Sequence, residues 1–408
     1  MRILYAAIDQ TIPGTKGGSV HVTAVAEGLA GLGHEVHVLV TPGGSFRLKA
    51  EATGSAKAPG SAEATGSAGA AESGAGRVRW VAMPPPLGRK ELRWMRAGGV
   101  RRIAETFRPD AIIERYYNFG GEAIFAAADV GATAVLEVNA PVVDHPGSPK
   151  AVIDRALIVE PMRRWRERIC RAADLIVTPS AAILPPDTPS AKIVSLEWGA
   201  DTDRFCQNAA GPAPFARPAA TVAIFAGAFR PWHGAIQLAR AIRELHAGGR
   251  SDIGAVFVGE GPELPRVRAA AQGLAHVVFT GTLDHDRMPA ALAAADIGVA
   301  PFDVEAHPPL ALGFYWSPLK IFEYMAAGIP VVAPAVDRLP SLVQDGREGL
   351  LYPPHAPGAL AAALARLADP ALRVPLGRAA RERAVREYSW KAHCRALEAA
   401  IVKARARP

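Results

Sequence analysis

The sequence predicts an α/β protein made of two Rossmann-like domains, and three observations lead to this prediction. The chain has 408 residues, which is too long for one ordinary core and suits two domains of ~150–200 residues each. Short β-branched runs alternate with longer helical stretches, as expected for parallel sheets covered by helices on both faces. The alternation occurs in two successive series, and each series predicts one doubly wound domain.

The first series predicts strands at Arg2–Ile8, Glu35–Val40, Arg77–Ala82, Asp110–Glu114, Ala134–Val138, Leu175–Thr178 and Lys192–Ser195. The second predicts strands at Thr221–Phe225, Ile253–Val258, Val277–Thr280, Ile297–Ala300, Val331–Ala333 and Gly349–Leu351. A Pro-rich stretch, GPAPFARP, indicates a linker between the two series. We therefore expect an N-terminal domain over residues 1–200, a C-terminal domain over 201–385, and a helix over 386–408 that packs back on the first domain.

The composition indicates a globular protein of a reducing compartment, which we expect to be the cytoplasm. Three isolated cysteines, Cys170, Cys206 and Cys394, show neither zinc spacing nor a disulfide framework. No stretch reaches the ~18 apolar residues of a membrane span, and Asp9 cuts the first apolar run too early for a signal peptide. Residues 43–76 are mostly Ala, Gly, Ser, Thr and Glu, so we predict a flexible surface insertion without chemistry. The net charge of +7 favours anionic partners, although a mildly basic surface is the simpler alternative.

The segment SPLKIFEYMAAG, Ser317–Gly328, carries the strongest chemical signal. Ser317 is suited to cap a helix and Pro318 to occupy its first position. Inside the predicted helix, Lys320 and Glu323 are the only charged residues among apolar ones, so the helix is buried and its charges need partners. The two charges could pair with each other at i,i+3. Alternatively, the helix N-terminus and Lys320 bind a diphosphate, and Glu323 accepts hydrogen bonds from a ribose diol.

Two strand ends of the second series point to the same edge of the predicted sheet. FAGAFRPWHG, Phe225–Gly234, places Arg230 and His233 on a strand-to-helix loop, where parallel-sheet enzymes bind ligands. Arg230 is suited to bind a phosphate in a bidentate manner, but an exposed loop arginine and an ordinary helix-start histidine fit equally well. VFVGEGPEL, Val256–Leu264, has the same strand–glycine–helix form without a complete dinucleotide fingerprint.

The first series carries two further candidates. GTKGGSVH, Gly14–His21, follows the first strand, and its adjacent glycines allow a close backbone approach to a substrate or serve merely as a permissive turn. LEVNAPVVDH, Leu136–His145, brings Glu137, Asn139 and Asp144 to the end of another strand.

Together these segments resemble glycosyltransferase family 4, the retaining enzymes of the GT-B fold, in which two Rossmann-like domains face each other across a cleft and C-terminal helices brace both. The most specific stretch is SPLKIFEYMAAGIPVVAP, and GHEVHVLV, EWGAD, VGEGPEL and FTGTLDHDRMPAALAAADIGVAPF support it in the expected order. The resemblance covers the chain apart from residues 43–76. It implies transfer of a hexosyl group from a nucleoside-diphosphate sugar to a glycan, lipid-linked or small-molecule acceptor. It implies neither a tightly bound metal or other cofactor nor a nucleic-acid partner.

Site residues follow from the resemblance position by position. Glu323 matches the second Glu of the family's E-x7-E motif and would bind the ribose. The donor phosphates and sugar would lie against the start of the helix and the glycine-containing loops, at Ser317, Pro318, Leu319, Lys320, Gly227, Glu260, Gly17 and Gly18. Leaving-group charge would be stabilised by Arg230, His233, Lys320 and helix N-terminal amides.

The sequence departs from the family pattern at three places. The first Glu of E-x7-E falls on Tyr315, and the family's histidine after the fifth strand falls on Asn139, which we take as a catalytic position. The family's Arg and Lys after Gly227 fall on Ala228 and His233. Two alternatives therefore stay open, namely a nonhydrolysing sugar-nucleotide epimerase and a catalytically silent nucleotide-binding protein.

A basic stretch, LGRKELRWMRAGGVRRIAETFR at residues 87–108, bears on the acceptor. It interleaves Arg89, Lys90 and Arg93 with Trp94 and other apolar residues, a pattern that predicts peripheral contact with an anionic membrane at the inner face. A solvated helix face with its apolar side in the core is the alternative.

Overall fold

A computed structural model describes residues 1–14, 17–43 and 77–407. The predicted flexible insertion at 43–76 lies outside these residues, apart from its first glycine. The chain divides into two units, Met1–Glu137 with Ala172–Leu175 and Ile401–Pro408, and Val138–Arg171 with Ile176–Ala400. The boundaries expected at residues 200 and 385 stay predictions. No helix in the described part is long and apolar enough to cross a membrane.

The first unit contains a parallel sheet with the strand order β3-β2-β1-β4-β5. Its strands are β1 (Arg2–Ile12), β2 (Glu35–Pro42), β3 (Val78–Ala82), β4 (Ala111–Arg115) and β5 (Thr133–Glu137). Its helices are α1 (Gly17–Gly31), α2 (Ala97–Phe107) and α3 (Glu122–Val130). Sequence-adjacent strands that pair in parallel require a crossover, which α1 supplies between β1 and β2 and α3 supplies between β4 and β5.

The second unit contains the parallel pair β6 (Leu175–Thr178) and β7 (Ile193–Ser195) and a six-stranded parallel sheet in the order β10-β9-β8-β11-β12-β13. The strands of this sheet are β8 (Thr221–Ala226), β9 (Ile253–Val258), β10 (Val277–Gly281), β11 (Ile297–Val299), β12 (Val331–Pro334) and β13 (Gly349–Tyr352). The helices of the second unit are α4 (Pro149–Ala156), α5 (Pro161–Ala172), α6 (Ala235–Ala247), α7 (Leu264–Ala270), α8 (Met288–Ala293), α9 (Leu319–Ala326), α10 (Leu339–Leu342), α11 (Ala359–Leu367), α12 (Pro370–Glu387) and α13 (Trp390–Arg405), and the residues of α13 from Ile401 onwards belong to the first unit.

The predicted α/β class with two parallel, Rossmann-like sheets is confirmed. Every predicted strand is present, and the largest difference is at β1, which continues to Ile12 instead of ending at Ile8. The strands read as apolar runs because both faces of each sheet are buried, as in β8 and β9, where every residue is buried. The last helix ends with Arg405, which pairs with Asp110 of the first unit at 2.7 Å.

The basic stretch at 87–108 does not lie wholly on the surface. It forms short 3₁₀ turns, including Lys90–Arg96, followed by α2. Arg93 is fully buried and binds three carboxylates, with Nε 2.6 Å from Glu122, Nη1 3.0 Å from Asp9 and Nη2 3.4 Å from Glu114. The prediction that Arg93 faces a membrane is therefore wrong, because the residue compensates buried acids inside the first unit.

Replacing Arg93 with alanine should lower the free energy of unfolding by about 3–5 kcal/mol, because buried carboxylates would lose their counter-charge. Urea denaturation monitored by circular dichroism measures the change. Arg89→Ala is the matched control, since Arg89 is exposed and its loss should change stability by less than about 0.5 kcal/mol. Similar losses in the two variants would contradict a structural role for Arg93.

Candidate functional site

The helix α9 lies beside the end of strand β8 and presents two charged side chains. It runs from Leu319 to Ala326 with Pro318 as the preceding cap residue. The prediction that Ser317 caps this helix is wrong, because its hydroxyl donates to Glu197 Oε2 at 2.7 Å instead. The apolar residues of α9 from Ile321 onwards are buried, as the sequence predicts, so the helix is fixed against the core.

Lys320 is an ammonium held in an apolar setting. Its Nζ is inaccessible to solvent and has no hydrogen-bond partner among the described residues. The nitrogen lies 4.2 Å from the ring centroid of Phe225 and 5.2 Å from that of Phe302. Burial lowers the pKa of Lys320 to about 7. The aromatic rings compensate the charge only in part, so an anionic ligand would stabilise it further.

Glu323 lies one turn beyond Lys320 on the same helix. Burial raises its pKa to about 7, and the nearby Lys320 charge partly opposes this rise. The hydrogen-bonded i,i+3 pair that the spacing allowed is not formed, since Lys320 Nζ has no such partner. Both side chains therefore keep hydrogen-bonding capacity that a ligand could use.

Gly227 allows the loop after β8 to pass close to Lys320. Its φ of +136° is unfavourable for other residues, and a Cβ at this position would lie 3.3 Å from Lys320 Nζ. The loop after β9 packs against it, because Gly227 N donates to Val258 O at 3.0 Å and Phe229 N donates to Glu260 O at 2.9 Å. The structure thus brings Gly227, Lys320 and the backbone of the exposed Glu260 to one edge of the sheet.

The surroundings of His233 favour its neutral form. Burial is the main cause that lowers its pKa to about 3, and the charges of Lys320 and Arg230 lower it further. Its Nδ1 lies 2.5 Å from the carbonyl oxygen of Ala228, which only accepts, so Nδ1 carries the proton and Nε2 is left as an acceptor. His233 therefore offers no positive charge to a leaving group while it keeps this state. Lys320 and the exposed Arg230 remain as the residues that could supply positive charge to a leaving group.

A carboxylate clamp that the sequence analysis missed holds the residues before α9. Glu197 binds Ser317 Oγ and both terminal nitrogens of Arg338, with Nη2 at 3.1 Å from Oε2. Arg338 also donates to the carbonyl oxygens of Phe314 at 2.7 Å and Trp316 at 3.0 Å. The partners lie 120 and 141 positions from Glu197, so no local pattern could reveal the clamp.

Asn139 connects to the same clamp through one side chain. Trp198 Nε1 donates to Asn139 Oδ1 at 2.8 Å, and Trp198 N donates to Ser317 Oγ at 2.9 Å. The predicted catalytic asparagine is therefore hydrogen-bonded to the turn that fixes α9. Tyr315, which replaces the family's first glutamate, is buried in contact with the Trp316 ring at 5.2 Å between centroids, and burial raises its pKa to about 12.

Gly17 and Gly18 lie in the first unit, at the start of α1. A Cβ at Gly18 would collide with the side-chain oxygen of Gln10, so a larger residue there would require this flexible side chain to move. Their surroundings include Glu137, which pairs with Arg115 at 2.9 Å.

Comparisons with known proteins agree with this arrangement. A model of the family described as Glycosyltransferase Family 4 matches residues 15–184, and one described as Glycosyl transferases group 1 matches residues 220–369. The chain is 28% identical over 314 residues to a D-inositol 3-phosphate glycosyltransferase of Acidothermus cellulolyticus, a match that covers 70% of this chain and 67% of the relative.

Two further similarities concern a mannosyltransferase and a solved structure. The GDP-mannose-dependent α-(1-6)-phosphatidylinositol monomannoside mannosyltransferase of Mycolicibacterium smegmatis is 31% identical over 223 residues, so the match covers 50% of this chain and only about half, 54%, of that relative. The structure of Anabaena HepE in complex with UDP and glucose superposes with a TM-score of 0.66 at 16% identity, over 99% of this chain and 100% of that one. The structural likeness confirms the predicted GT-B fold class.

Replacing Lys320 with methionine should stabilise the unliganded protein by ~1–3 kcal/mol, because a buried ammonium without a hydrogen-bond partner is removed. The folded-state pKa of about 7 lies below the ordinary value of 10.5, so the gain is full below pH 7 and shrinks as the pH rises towards 10.5. Urea denaturation at low and high pH measures this dependence. Lys391→Met, at an exposed lysine, is the control and should show no such pH dependence. A Lys320→Met protein that is less stable than the wild type at acidic pH would contradict the assignment.

Proposed function

The chain belongs to the family 4, group 1 glycosyltransferases, and on this premise we propose that it transfers a hexosyl group from a nucleoside-diphosphate sugar with retention of anomeric configuration. The observation that carries the proposal is the buried Lys320 Nζ, which has no hydrogen-bond partner in the part of the chain that the structure describes and lies against Gly227 at the end of β8. A buried cation at a sheet edge, next to the first turn of a helix, is suited to a diphosphate.

The donor contacts follow from the geometry around α9. The diphosphate would bind at the backbone amide and the Nζ of Lys320, with Arg230 as an exposed second cation. The ribose diol would donate to Glu323, which has no ion-pair partner in the described structure. Departure of the diphosphate creates negative charge, and fixed cations stabilise it before the transition state is reached. We propose that no tightly bound metal takes part.

The proposed acceptor is lipid-linked, with a glycan or a small molecule as the alternatives. The mycobacterial relative is named for a phosphatidylinositol monomannoside acceptor, and HepE was solved with UDP and glucose. Peripheral contact with an anionic membrane belongs to this proposal. In the basic stretch at 87–108, Leu87, Trp94 and Met95 are exposed and would make this contact beside Arg89.

A second candidate function is a silent nucleotide-binding protein, and the replacement of the family's glutamate by buried Tyr315 favours it. Donor consumption separates the candidates. Release of nucleoside diphosphate that requires an acceptor supports transfer, conversion of the sugar without acceptor indicates an epimerase, and binding without turnover indicates a silent protein. The anomeric configuration of the product, read by NMR, tests retention.

Replacing Glu323 with alanine should weaken nucleotide binding by about 1–3 kcal/mol, because the ribose loses a charged hydrogen-bond partner. Isothermal titration with UDP and GDP measures the effect. Glu382→Ala is the control, because this exposed carboxylate on α12 lies outside the candidate site, and its loss should leave the affinity unchanged. Equal nucleotide affinity in folded Glu323→Ala and wild-type protein would refute the assignment.

Removal of divalent metal should leave transfer largely intact, because the proposed leaving-group stabilisation comes from Lys320, Arg230 and helix amides. Transfer is measured before and after dialysis against EDTA, and the treated protein is tested again with added Mg²⁺. A loss of activity that Mg²⁺ restores would show that a metal carries this charge instead.

A further inference from the structure

An exposed apolar cluster lies between α4 and α5 of the second unit. Of the eleven large apolar side chains that are exposed in the described part of the chain, five fall within residues 152–159. They are 50–87% exposed and comprise Val152, Ile153, Leu157, Ile158 and Val159. We call residues 152–159 the apolar lip. Single exposed apolar residues are common on protein surfaces, whereas a contiguous group indicates an interaction site.

The base of the apolar lip is fixed by one buried carboxylate. Asp154 is 3% exposed and accepts hydrogen bonds from Met162 N at 2.9 Å and Arg163 N at 2.8 Å. These amides open α5, so Asp154 fastens the end of α4 to the start of α5. The connecting residues consequently protrude from an anchored base.

Ile158, at the tip of the lip, has a backbone conformation that is unfavourable for a β-branched residue. Ile158 has a φ of +58° and is 87% exposed. A β-branched residue in the left-handed region is an outlier, since glycine or asparagine would adopt this turn more easily. The side chain gains nothing from burial within the described structure, so its position is explained by an external apolar partner.

The surroundings of the lip are basic. Residues 149–172 contain seven basic and three acidic residues, a net charge of +4. Arg155, Arg164 and Arg171 are exposed beside or beyond the lip. The acid nearest the tip in sequence, the half-buried Glu160, is paired with Arg163. Positive charge around an apolar protrusion complements a surface that is apolar inside and negatively charged outside.

We propose that the apolar lip inserts into a lipid bilayer that contains anionic lipids, while the surrounding arginines contact the lipid head groups. The inference rests on the proposed lipid-linked acceptor, because an enzyme acting on such an acceptor works at the bilayer surface. A second copy of this chain fits the lip less well, since two copies would bring like charges together. This segment is separate from the basic stretch at 87–108.

Vesicle binding of the full chain tests the proposal. The probe is a vesicle of phosphatidylcholine and phosphatidylglycerol at about a three-to-one ratio, compared with pure phosphatidylcholine. The wild type should co-sediment with the anionic vesicles. The double variant Leu157→Asp with Ile158→Asp should bind at least about tenfold less, because it removes apolar insertion and adds negative charge. Both positions are exposed, so the variant should fold.

The matched control is Val374→Asp with Val402→Asp, which changes two valines that are 54% and 52% exposed outside the lip. It should bind vesicles like the wild type. Thermal shift with UDP and GDP, measured on every variant, tests the proposed nucleotide binding separately. The membrane role of the lip would be contradicted if the wild type bound nucleotide but no vesicle, or if the lip variant bound vesicles normally. Neither result would contradict the proposed glycosyl transfer. A wild-type dimer that the lip variant dissociates would also contradict the membrane role and assign the lip to a second copy.

Discussion

The position of the candidate donor site depends on the carboxylate of Glu197. This side chain binds the hydroxyl of Ser317 and the guanidinium of Arg338, and Arg338 in turn holds two carbonyl oxygens of the segment before α9. Long connections can adopt several conformations, and the clamp restricts the 19-residue connection between β11 and α9. Because the clamp fixes Ser317, the first turn of α9 starts at one place, and Lys320 meets the glycine loop after β8.

The position of Lys320 on α9 destabilises the unliganded protein electrostatically. Lys320 and Glu323 are half-buried on the same helix, yet the inaccessible Lys320 Nζ is compensated mainly by aromatic rings, and both groups have pKa values shifted to about 7. Neighbouring positive charge also contributes to keeping His233 neutral. An anionic ligand would relieve this arrangement by supplying the missing counter-charge, so the same contacts that destabilise the empty site favour binding. Such an opposition between stability and binding is typical of functional sites.

Arg93 is a buried cation that, unlike Lys320, is paired with carboxylates. Its guanidinium has three carboxylate partners in the first unit, and these raise its pKa above the usual range despite burial. A buried charge that is fully paired stabilises the fold, whereas a buried charge without hydrogen-bond partners favours the binding of a ligand of opposite charge. In the sequence, Arg93 and its exposed neighbour Arg89 are both members of one basic run, and nothing local separates their roles.

The sequence by itself determined the strands, their parallel arrangement and the segments that reach the sheet edges, because these features follow from periodicity and from residues adjacent in the chain. It also singled out Lys320 and Glu323, since two charges in an apolar helix are visible without coordinates. Only the tertiary structure decided that Glu197 rather than the helix receives the Ser317 hydroxyl, that the surroundings of His233 favour its neutral form, that Arg93 is internal and that the apolar side chains within residues 152–159 are exposed. Each of these depends on burial or on partners that lie 5 to 120 positions away in the chain, and desolvation and pairing energies are set by such neighbours rather than by local sequence.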